Sequence, residues 1–178
     1  MKTLGELLRD RQGMIAQRWL EVGLTTYPSD SASAFKRQKD PFANPVGHSL
    51  RIGTKGIVEA LLDGGEHEKI QQHLNEIIKI RAVQQITPSE AIRFVFALKQ
   101  AVREELGRAA SDPQILPELE AFDREIDRVA LAAFDSYVEC RERVSELRIG
   151  EIKRQVSWIM DRVNRRSSDP EITPVDTA

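Results

Sequence analysis

Apolar positions along this chain recur at intervals of three and four. Strand-type alternation is absent over any useful length, so the pattern predicts an all-α protein. Leu4, Leu7, Leu8, Met14, Ile15, Trp19 and Val22 form a broad first stripe. Thr3 and Glu6 fit a capping box, in which the hydroxyl accepts a free backbone N–H and the glutamate reaches back. This helix is expected to close near Tyr27, since Pro28 disfavours helical geometry in the residue before it. Ser29 to Lys39 reads as a connector with room for one short helix around Ala34. Asn44-Pro45 is a clean helix start, because Asn caps free N–H groups and Pro lacks only an N–H that would be orphaned anyway. That helix carries Leu50, Ile57, Val58, Leu61 and Leu62 and stops at Gly64-Gly65. Gly47, Gly53 and Gly56 lie inside it, each costing up to about 1 kcal/mol against Ala. Close packing against a second helix explains them; a ligand approaching the backbone is the alternative.

A third helix spans Glu66 to Gln84, with Ile70, Leu74, Ile77, Ile78 and Arg81 in one register. Thr87-Pro88-Ser89-Glu90 opens a fourth with another capping box. Its Ile92, Val95, Phe96, Leu98, Val102 and Leu106 cover much of the circumference, as in a central helix. After a turn from Asp112 to Pro117, Leu119, Phe122, Ile126, Val129, Ala133, Tyr137, Cys140, Val144 and Leu147 follow by threes and fours. The pattern resumes at Ile152, Val156, Ile159 and Val163, after a five-residue step containing Gly150. One helix with a skip and two helices with a break both fit that step. A single helix of about 48 residues would span roughly 70 Å, too long to pack wholly on so small a domain. Its end is expected to meet a partner, and a second copy of the chain fits best.

The expected architecture is a compact helical bundle, with a globin-like arrangement among those open to it, and a long C-terminal helix. Residues 1–148 are expected to form one helical domain, 149–166 a helical extension for dimer or partner contact, and 167–178 a disordered tail.

Composition narrows the function classes. The chain has 178 residues, 26 basic and 28 acidic, for a net charge of −2. That balance argues against a nucleic-acid binder. No apolar run approaches the roughly 20 residues of a membrane span. The N-terminus shows no secretory apolar region, so a cytoplasmic protein is expected. Cys140 is the one cysteine, which excludes an intramolecular disulfide framework. It is read as a buried thiol, or as a contact across a dimer seam. His48, His67 and His73 show no metal-ligand spacing, and no metal or other cofactor is expected. Haem held by one histidine remains open for a globin-like bundle. No nucleophile elbow, phosphate loop or dinucleotide fingerprint occurs, so an enzyme is not expected.

The segment from Phe35 to His48 concentrates chemistry. Lys36, Arg37 and Lys39 precede Asp40, Phe42 and Asn44, and His48 follows. Cations beside a helix N-terminus can hold a small anion or a partner. The plainer reading has Asp40 shaping a turn, the phenylalanines anchoring the connector, and the cations in water.

Tyr27-Pro28, Phe35-Lys36 and the string Lys39-Asp40-Pro41-Phe42-Ala43-Asn44-Pro45-Val46-Gly47 resemble the RsbRD-type N-terminal domain, the sensory part of RsbR-like stress-signalling co-antagonists. The resemblance covers about Leu8 to Val144. It implies an all-α sensory domain that dimerises, and a last helix that leads into a STAS domain. Here the chain ends at Ala178, where that domain would begin, and a stand-alone sensor acting through a partner and a truncated polypeptide both fit. No catalytic residue carries over.

Three functions follow. The first is a cytoplasmic sensor module that signals through its long helix to a regulatory protein partner, with a small-molecule ligand allowed. The second is a homodimeric interaction scaffold without ligand. The third is a haem or small-molecule globin. Cys140, Val144, Leu147, Ile152, Val156 and Ile159 are the expected dimer or partner face.

Overall fold

A computed structural model describes residues 2–24, 43–84 and 86–167, the side chains of 166 and 167 excepted. Five α-helices occur among them: α1 (Leu4–Leu24), α2 (Pro45–Leu62), α3 (His67–Val83), α4 (Pro88–Leu106) and α5 (Leu116–Ser167). A 3₁₀ turn, Gly107–Ser111, follows α4, and no strand occurs among the described residues. The expected end of the first helix at Tyr27 and the short helix near Ala34 lie outside the described residues, as does the tail after Ser167.

The helix starts follow the local chemistry of the sequence. Thr3 Oγ1 accepts from Glu6 N at 3.3 Å, and Glu6 Oε2 accepts from Thr3 N at 2.9 Å. Thr87 and Glu90 make the same reciprocal pair at 3.3 and 3.2 Å. Asn44 Oδ1 accepts from Gly47 N at 2.8 Å, with Pro45 in the first turn of α2. α2 stops where Gly64 and Gly65 take φ of 99° and 74°, a region costly for any residue with a Cβ. α5 starts at Leu116, inside the expected turn, because Pro117 falls in a first turn that needs no N–H from it.

The chain divides into two units, residues 1–141 and 142–178. In the first, α1 packs on α2 and α4, and α3 packs on α2 and α4. The residues of α5 up to Tyr137 complete its core through Leu119, Ile126, Val129, Ala133 and Tyr137. Trp19 stacks on Phe94 with ring centroids 4.7 Å apart, and its Nε1 donates to the Phe94 carbonyl at 2.7 Å. The guanidinium of Arg81 lies 4.4 Å from the centroid of the Phe94 ring, and its Nη2 donates to the Gly23 carbonyl at 3.1 Å. Arg81 is thus a core residue, in the register where the sequence pattern places it.

The glycines of α2 are packing glycines. A Cβ at Gly53 would stand 2.7 Å from Ile77 Cδ1, and one at Gly56 would stand 2.3 Å from His73 Nε2. Backbone closeness between α2 and α3 therefore requires both.

Two stripes differ from the expected ones. Met14 is 53% exposed, because it stands about 120° round α1 from Leu8, whereas Ile15 returns to the same face. In α4, Phe94 is buried and Phe96 is 44% exposed, beneath the Lys99 ammonium. The inner face is Ala91, Phe94, Val95, Leu98, Ala101 and Val102, so α4 keeps a solvent face. That face pairs with α5, through Lys99 to Asp127 at 2.6 Å and the two-pronged Arg103–Asp123 pair.

The second unit is described by the α5 residues 142–167. Helical geometry is unbroken through Gly150, which answers the question left by the five-residue step.

Candidate functional site

The residues singled out in the connector divide at Ala43. Lys36, Arg37, Lys39, Asp40 and Phe42 lie outside the described residues. Asn44 is buried and caps α2, and His48 is half-buried one turn into that helix, its amide donating to the Asn44 carbonyl at 3.0 Å. No cluster of three or more metal-ligating side chains occurs among the described residues.

The long-helix residues fall into two environments. Cys140 is a free thiol, half-buried against the core of the first unit. Nearby, Gln71 Nε2 donates to Ser136 Oγ at 2.9 Å and to Asn75 Oδ1 at 3.0 Å, and Ser136 Oγ donates to Asn75 Oδ1 at 2.8 Å. This closed triangle fixes α3 against α5. Arg103 adds a tie from α4; its hydrogen bond to Asp123 raises the guanidinium pKa further, so the charge stays on at any physiological pH.

In the second unit every described side chain is exposed except half-buried Val144. Leu147 is 68% exposed, and Ile152, Val156 and Ile159 are 52–59% exposed. Ile149, absent from the expected face, is 51% exposed. It supplies the position missing from the five-residue step. Ile149, Ile152, Val156, Ile159 and Val163 then follow at spacings of three, four, three and four, the repeat that coiled coils use. Leu147 stands about 140° from Ile152 round the helix and lies off that seam. The spacing places 147 and 149 on different faces of the helix. Trp158, also off the seam, is 59% exposed with the Arg162 guanidinium 5.3 Å from its ring centroid.

The first unit also holds a groove of about 150 Å³ between α1 and α2. Gly13, Ala16, Gln17 and Leu20 line it from α1, and Arg51, Thr54 and Lys55 from α2. Sequence pattern did not reveal it, because its residues belong to two helices with no shared motif.

Residues 13–151 match the family described as the RsbT co-antagonist protein rsbRD N-terminal domain. The chain belongs to the RsbRD N-terminal domain family. The string from Lys39 to Gly47 falls inside the match, and the seam from Ile152 onward falls outside it. This family is one of regulatory signalling domains and not a known enzyme family. An uncharacterized protein of Archaeoglobus fulgidus is 26% identical over 162 residues, 88% of this chain and 97% of its own length. No solved structure matches the chain. No helix among the described residues is long and apolar enough to cross a membrane.

Proposed function

We propose that this RsbRD-family protein is a non-enzymatic cytoplasmic regulator that dimerises through the end of its long helix and signals to a protein partner through that dimeric segment. Residues 1–148 act as the sensory domain and 149–166 as the contact segment. The observation that carries the reading is the seam of Ile149, Ile152, Val156, Ile159 and Val163, each more than half exposed in the single chain. Burying each such side chain contributes roughly 1.5–3 kcal/mol before the costs of association. A regular seam of β-branched residues suits helix pairing better than an ordinary solvated surface does. Signal passage then means that a ligand or partner binds two arrangements of the paired helices with different affinity.

The test is capture of partner proteins on the tagged full-length chain, followed by cross-linking and mass spectrometry. The regulator reading expects partner cross-links within residues 142–167 and their loss in the double variant Ile152→Glu/Ile159→Glu. Cross-links confined to residues 1–141 and unaffected by that variant would contradict it.

A further inference from the structure

We propose that the groove between α1 and α2 is a binding site for a small organic anion, a carboxylate with a short apolar tail. Three observations converge there.

The first is Gly13. A glycine inside a helix costs up to about 1 kcal/mol, so it calls for a packing reason. Gly23, Gly53 and Gly56 have one, since a Cβ at each would lie 2.7 Å or closer to a side chain of another helix. A Cβ at Gly13 meets nothing within 4 Å. The packing of the described residues does not need that space, but an occupant of the groove would.

The second is charge. Arg51 is half-buried and makes no ion pair among the described residues. Among the described residues Lys55 pairs with Glu59 alone, at 3.6 Å in an exposed pair one helical turn apart, an interaction of little strength. Partly desolvated guanidinium without an anion is costly, and a carboxylate is its best-matched acceptor because both of its oxygens can be engaged.

The third is shape. Ala16 and Leu20 give the groove an apolar wall opposite the cations. Its volume of about 150 Å³ equals that of a cavity that holds benzene, so six heavy atoms fit. The Thr54 hydroxyl is already spent on the Leu50 carbonyl at 2.9 Å, which leaves Arg51 and Lys55 to recognise the anion.

Nothing here depends on the signalling reading, because binding is measured on the chain alone. The probe is butyrate, titrated into the isotope-labelled full-length chain at low salt and followed by amide NMR. Saturable shifts are expected at Gly13, Gln17, Arg51 and Lys55, with a dissociation constant of about 1–10 mM. Arg51→Gln weakens binding by about tenfold or more, the loss of a charge-assisted pair. Gly13→Leu fills the groove and removes the saturable shifts, and Gly13→Ala, whose Cβ takes part of the same space, weakens binding. Unchanged amide positions elsewhere show that each variant folds. Absence of saturation up to about 50 mM butyrate would overturn the proposal. So would butyrate binding that survives Gly13→Leu, or inorganic phosphate binding as tightly as butyrate, which would mark a bare charge patch with no place for a tail.

Discussion

Phe94 is held by the stacked Trp19 ring and by the Arg81 guanidinium over its face, and Gly23 is what lets the backbone of α1 reach this stack. A Cβ at position 23 would stand 2.4 Å from Phe94 Cε2. The ring cannot swing aside without breaking a stack and a cation–π contact. Gly23→Ala is therefore expected to lower stability by about 1–3 kcal/mol in a denaturant titration, as overpacking does. Gly13→Ala has the opposite sign. Its Cβ meets open space, so the variant gains up to about 1 kcal/mol from helix propensity and a less mobile unfolded chain. The same substitution at two positions of one helix thus separates a packing glycine from one that the fold itself does not use. Equal effects at the two sites would contradict this account.

At the scale of single elements, the caps are the most legible part of the sequence. Thr3-x-x-Glu6, Asn44-Pro45 and Thr87-Pro88-x-Glu90 all announce helix starts that the structure contains, because capping depends on residues within one turn of each other. Thr87→Ala is expected to cost about 1 kcal/mol by leaving the first amides of α4 without their acceptor. The Glu90 half of the box is sensitive to pH. The Thr87 hydroxyl and then the Thr87 amide donate to its carboxylate, holding its pKa below the ordinary value of 4.5. Because the folded value is the lower one, the contribution is full above about pH 4.5 and fades as pH falls through the depressed value. The stability difference between wild type and Glu90→Gln should therefore shrink on acidification below pH 4.5, measured by denaturant titrations across that range. The inner faces of helices were less legible than their caps. Met14 and Phe96 sit beside the inner positions Ile15 and Val95, and apolar residues in adjacent positions cannot be ranked without the neighbouring helix. Arg81 was legible by register alone, although its cation–π contact depends on Phe94, thirteen positions further on. The groove between α1 and α2 was not legible, since its recognition groups come from helices joined only in space.

For the whole molecule, the long helix carried the clearest message and the least obvious detail. The extent of its apolar pattern and the expectation that so long a helix needs a partner follow from the spacing of apolar residues, whereas its continuity through Gly150 is seen only in the structure. The irregularity near Gly150 left a skip in one helix and a break between two helices both open, because residues of two faces were counted as one series. Val144 and Leu147 follow the register of the core residues, while Ile149 opens the exposed seam. A seam of five large apolar side chains on a single chain is the feature that most demands an explanation at this scale. The family match does not supply one, since it ends at residue 151. The decisive measurement is sedimentation equilibrium of the full-length chain and of Ile152→Glu/Ile159→Glu at micromolar concentration. Both residues are exposed in the single chain, so their replacement should leave the helical bundle of residues 1–141 as stable as before. The account predicts a mass of twice 20.2 kDa for the wild type and of 20.2 kDa for the variant, with equal melting of the bundle. A monomeric wild type, or a variant that remains dimeric, would contradict it.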